Sequence, residues 1–136
     1  VSEDMILYYC DKYSKVYLFN KKNNHFEGEL NTLDKTPKPT IATDSRGFTF
    51  YSRKGTWLTN MGAFIKDKRI YVFSASGSNQ FSNKIVLDEY LIKNMKYIKS
   101  YKLDFKEQSS RNIRNIQTDS QNLIIAFEYY YGRSKF

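Results

Sequence analysis

Apolar residues come in short bursts along this chain, each closed by a polar turn. Met5–Cys10 (MILYYC) and Val16–Asn20 (VYLFN) are apolar, aromatic runs separated by DKYSK, and KKNN closes the second. His25–Leu30 (HFEGEL) alternates, which predicts a third strand with Phe26 and Leu30 on one face. Three such runs joined by tight polar turns predict a β-meander. Residues 31–40 hold both prolines, Pro37 and Pro39, and read as an extended connection between two units.

The same rhythm continues beyond the prolines. Ile41–Thr43 is a brief strand and Asp44-Ser45-Arg46-Gly47 a turn, since Asp bonds nearby backbone and Gly accepts positive φ. Phe48–Ser52 follows, with Phe48 and Phe50 on one face, then a Lys54-Gly55 hairpin and a return strand over 56–59. Met61–Lys66 and Arg69–Ser74 flank KDK, another hairpin signal, and SASGSN at 74–79 is a small polar loop. Residues 84–96 admit two readings. As a helix capped by Asn83 they would align Leu87, Leu91, Met95 and Ile98. As a strand they align Ile85, Leu87 and Leu91. The strand is preferred because Tyr97, Tyr101, Leu103 and Phe105 then form one apolar face, broken only by Lys99. Asn115–Thr118, a turn at 119–122 and Leu123–Phe127 (LIIAF) complete the series.

Two of these turns match. IATDSRGFTFYS (41–52) and IQTDSQNLIIAF (116–127) share Ile, Thr, Asp and Ser at the same relative places, with Asn122 where Gly47 stands. Asn and Gly are the residues that best tolerate the left-handed conformation, so the turn chemistry is kept. A recurring strand–turn–strand unit predicts a β-propeller or another repeated meander. A blade of about 40 residues makes this separation roughly two blades.

The I-x-T-D-S pattern, together with NKIVLDEYLIKNMKYIKSYKLDF (83–105), resembles blades of six-bladed β-propellers of the NHL-like kind. The resemblance implies an all-β fold of antiparallel meander blades and a secreted or lipid-anchored, extracytoplasmic bacterial setting. It implies no functional residue. Six blades need roughly 240 residues, and this chain has room for about three. The expected layout is a partial three-strand blade over 1–33, a linker and abbreviated blade over 34–60, a four-strand blade over 61–105 and the start of a further blade over 106–136, in one structural domain. Open sheet edges would then invite self-association.

Composition agrees with a packed β protein. The 136 residues are 40% hydrophobic and 26% charged, and aromatics reach 17%. No apolar run is long enough to span a membrane as a helix. The net charge of +8 is spread along the chain, with one local concentration at Arg111, Arg114, Arg133 and Lys135. Those four residues are the candidates for a nucleic-acid footprint, the alternative function.

Candidate chemistry is thin. His25 is the sole histidine and lies beside a turn; Cys10 is the sole cysteine and reads as a buried apolar residue. One His and one Cys do not make a zinc site, and Asp44 and Asp119 fall short of a calcium site, so no metal or cofactor is expected. Trp57, Tyr129, Tyr130, Tyr131 and Arg133 are the candidate ligand-binding residues, because exposed rings stack on sugars or partner side chains. The function expected is a non-enzymatic binding module for a protein or glycan. The further alternative is a fragment of a propeller hydrolase whose catalytic residues lie elsewhere.

Overall fold

In a computed structural model the protein is described over residues 4–34, 36–52, 58–74, 84–104, 111–119 and 121–129, with only the backbone given at 84–85, 104, 111–114 and 127–129. Those residues form an all-β chain of antiparallel meanders with no α-helix. β1 (Met5–Tyr9), β2 (Lys15–Asn20) and β3 (His25–Asn31) make a three-stranded sheet. β4 (Ile41–Thr43) and β5 (Thr49–Tyr51) pair as a separate hairpin. β6 (Asn60–Lys66), β7 (Arg69–Ser74), β8 (Lys84–Leu91) and β9 (Lys96–Asp104) form a four-stranded sheet in chain order. β10 (Arg111–Thr118) and β11 (Leu123–Tyr129) close the series as a hairpin.

The four-stranded sheet is the middle layer. On one face Ile65, Ile70, Val72 and Tyr90 pack against Val16, Leu18 and Leu30 of the three-stranded sheet. On the other, Phe73 and Leu87 pack against Ile116 and Ile125 of β10–β11. Both faces of β7 and β8 are therefore covered, which is why RIYVFS is apolar in nearly every position rather than alternating. β6 is the strand that meets both neighbours, β1 and β10. Its start is pinned beyond the end of β1: Thr59 N donates to Asp11 O at 2.7 Å, and Asn60 Nδ2 donates to Cys10 O and Tyr13 O at 2.8 and 3.0 Å. Its end meets the end of β10, where Lys66 Nζ donates to Asp119 O at 2.8 Å. β1 thus runs opposite to β6, and β10 runs with it.

Turn chemistry behaves as the residue types dictate. Asp44 Oδ1 accepts from Arg46 N and Phe48 N, and Asp119 Oδ1 accepts from Gln121 N and Asn122 N. These bonds hold both carboxylates below the ordinary aspartate value: the Phe48 N–H leads at Asp44, the Asn122 side chain at Asp119. The two matching segments share the aspartate's bonds but not the turn or the setting. Gly47 is left-handed at φ 86° while Asn122 is not, which corrects their expected equivalence. The hairpins close at Thr43–Thr49 and Thr118–Leu123, so the first turn is one residue longer. β10–β11 packs on the middle sheet, whereas Ile41, Phe48, Phe50 and Tyr51 of the β4–β5 region are all more than half exposed. The KDK hairpin turns through Asp67 and Lys68, both left-handed at φ 50° and 60°, as a two-residue turn of the mirror-image type requires.

Two expected faces are corrected, both by β-bulges. Phe26 and Leu30 do not share a face. Leu18 pairs with Gly28 and Phe19 with Phe26, so Glu27 is an extra residue that rotates Phe26 outward while Leu30 stays buried. Gly28 stands beside the bulge at φ 158°, and a Cβ there would only reach ordinary contact with Met95 Cε, 3.4 Å away. Likewise Tyr97 pairs with Tyr90 and Lys99 with Glu89, leaving Ile98 as the extra residue. Tyr97 therefore faces the three-stranded sheet, while Tyr101 and Leu103 face the other way. Lys99, which broke the expected alternation, marks the site of the bulge. The stretch 84–96 is strand, with only a single 3-10 turn, Ile92–Asn94, before β9. Leu58 and Thr59 are not strand, and the Lys54-Gly55 hairpin lies outside the described residues.

Candidate functional site

The outer face of the three-stranded sheet is the most distinctive surface. Period-two alternation points Met5, Leu7, Tyr9, Val16, Leu18 and Leu30 toward the middle sheet. It also points Ile6, Tyr8, Tyr17 and Phe19 away, and the Glu27 bulge adds Phe26. Ile6, Tyr8 and Phe26 are 47%, 60% and 47% exposed. The rings form a continuous row: Tyr8 to Tyr17 with centroids 6.3 Å apart, Tyr17 to Phe26 at 6.4 Å, and Phe26 to Phe19 at 5.5 Å. They line a shallow groove of about 710 Å³, closed at one end by Asn20 and Asn24. No charged side chain lines it. Beyond the groove the same face carries the Lys15–Glu29 pair, with Glu29 opposite Tyr17, and Lys22 pairs with Asp4 near the turn.

A polar cluster lies on the inward face of the middle sheet. Asp88 is 2% exposed and accepts from Ser100 Oγ; Ser74 Oγ donates to Asp34, and Ser14 Oγ donates to the Asp34 carbonyl. Burial, with the nearby Asp34 charge, pushes the Asp88 carboxyl up from its ordinary value. On the opposite face Glu89 is fully buried and receives Arg69 Nη1 and the Tyr101 hydroxyl. Despite burial, these donors hold its carboxyl below the ordinary value. Each carboxylate is satisfied by neighbours in its own sheet or loop, and neither adjoins a histidine or thiol that would form a nucleophilic pair.

The sequence candidates fall elsewhere. Tyr129 ends β11, where the backbone alone is described; Trp57, Tyr130, Tyr131, Arg133 and Lys135 lie outside the described residues. Arg111 and Arg114 sit on β10, Arg114 as its bulge residue, without described side chains. His25 is exposed at the start of β3. Cys10 lies just past β1, half-buried; burial and then Asp11 push its thiol up, which disfavours the thiolate. Sequence reasoning missed the aromatic face, although its signal was present: MILYYC and VYLFN are apolar in nearly every position. Strands of that kind have both faces covered, and here one face is bare. No family model, curated protein or solved structure matches the chain.

Proposed function

We propose that the chain is a non-catalytic interaction module of the β-propeller type, and that it acts by stacking the aromatic face of β1–β3 against another β-sheet. One observation carries the reading. Two of the three layers bury apolar faces against the middle sheet, and β1–β3 present a second face of the same character to solvent. Contiguous exposed rings, lining a groove free of charged side chains and flanked by the paired Lys15 and Glu29, mark an interaction surface. A sheet is the occupant of matching shape, since the other contacts made by these layers are sheet on sheet. The directions of β1 and β10 relative to β6 support the propeller reading. They are those of a second strand in one blade and a first strand in the next.

In the isolated chain the available partner is a second copy. Light scattering over a concentration series should give the mass of a dimer. The Tyr8→Asp/Phe26→Asp variant, altered only at exposed positions, should be a monomer with an unchanged far-ultraviolet spectrum. A parent chain that stays monomeric across the series overturns the proposal.

A further inference from the structure

A second depression lies at the end of the layers where β6 finishes, away from the aromatic face. Its volume is about 630 Å³, within the range of small-molecule sites. Its floor is hydrocarbon, from Met5, Ile65, Leu91 and Ile92. Its rim carries Lys66, Lys68 and Lys93 against a single carboxylate, Asp67. Lys66 is engaged with the Asp119 carbonyl and forms part of the wall. Lys68 and Lys93 are exposed and, among the described residues, neither has a carboxylate within ion-pair distance.

The rim is held in place. Asp67 and Lys68 are fixed by the left-handed turn between β6 and β7. Ile92 N donates to Lys68 O at 3.3 Å, which ties the 3-10 turn bearing Lys93 to that hairpin. Two ammonium groups on linked turns beside an apolar floor select a ligand with two properties. An apolar body displaces water from Ile65, Leu91 and Ile92. A negative head is drawn to the rim, where a neutral head gains only weaker hydrogen bonds from the ammonium groups.

We propose that this cavity binds a small amphiphilic anion, a carboxylate on a hydrocarbon body. Its tail lies along Ile65, Leu91 and Ile92, and its head between Lys68 and Lys93. The site is independent of the aromatic face and of the reading placed on it.

Titration calorimetry with decanoate tests this. Decanoate should bind at one saturable site, and 1-decanol at least about tenfold more weakly. Lys68→Asn/Lys93→Gln should weaken decanoate about tenfold, the sum of two exposed charge contacts. Asn at 68 tolerates the left-handed turn, so the fold is kept. Tyr8→Asp/Phe26→Asp should bind decanoate like the parent. The proposal is overturned if decanoate shows no saturable binding, if decanol binds equally well, if the lysine variant is unaffected, or if the aromatic-face variant loses the site.

Discussion

Tyr90 ties two layers together through one hydroxyl. The residue is 1% exposed in β8, its ring set edge-on to Tyr97 with centroids 5.7 Å apart and packed in the cluster that holds Val16, Leu18 and Val72. Its hydroxyl accepts from Leu33 N at 3.1 Å, holding the chain just after β3 against the middle sheet. Burial raises the phenol well above its ordinary pKa, so the group stays neutral at any working pH. Tyr90→Phe keeps the ring and removes the acceptor. An amide left unpaired in a buried site costs about 1–3 kcal/mol. Leu33 is 48% exposed, so water replaces part of the loss and the low end, about 1 kcal/mol, is expected. Tyr90→Ala also loses the ring and should cost about 3–5 kcal/mol. Urea unfolding measures both, with an unchanged slope as the check that the unfolded state is the same. Hydrogen exchange should show the Leu33 amide opening faster in Tyr90→Phe, relative to Val72. The reasoning is refuted if Tyr90→Phe is as stable as the parent with Leu33 exchange unchanged, or if Tyr90→Ala costs no more than Tyr90→Phe.

Other sites give sharp expectations. Asp88 has its folded pKa raised, so its contribution to stability is full below the unfolded value of about 4 and is lost as pH rises through the folded value. Asp88→Asn should therefore be more stable than the parent at pH 7, with the gain vanishing in melts below about pH 4. Arg69→Met should lower stability, because it strips one of two donors, the other being the Tyr101 hydroxyl, from fully buried Glu89. Adding Glu89→Gln should recover part of that loss in chemical denaturation, and a double variant worse than the single would contradict the account. Lys68→Gly should raise the melting temperature, since relief of left-handed strain of roughly 1–2 kcal/mol outweighs glycine's entropic cost of about 0.5–1 kcal/mol; a lower melting temperature would count against a strained turn.

Much of the local architecture was legible in the residue pattern. Strand positions followed from apolar bursts, because a half-buried strand needs period two and a doubly buried one needs a continuous run. Turns followed from Asp, Asn and Gly, whose bonding and conformational range act over a few residues. Asp44 and Asp119 illustrate this, for each carboxylate is spent on amides within four positions. The choice of strand over helix for 84–96 rested on the same local logic. The candidate binding site was not legible. The rings that the sequence pointed to were Trp57 and the tyrosines at 129–131, whereas the exposed row draws Tyr8, Tyr17, Phe19 and Phe26 from three strands.

By itself, the sequence determined an all-β, antiparallel chain of short strands and the turns that join them, since those depend on neighbours in the chain. Which face of each strand is buried was decided by tertiary structure. One extra residue at Glu27 and another at Ile98 reverse the side on which the earlier positions of β3 and β9 fall; the alternation gives no sign of the first, and of the second only the break at Lys99. The layering was also a tertiary matter. Asp44 and Asp119 each anchor a turn through nearby amides, yet the turns differ by one residue, and one sits in an exposed hairpin while the other lies against the middle sheet. Each turn is specified by an aspartate and its nearest amides, but its packing depends on which distant apolar surface lies within reach.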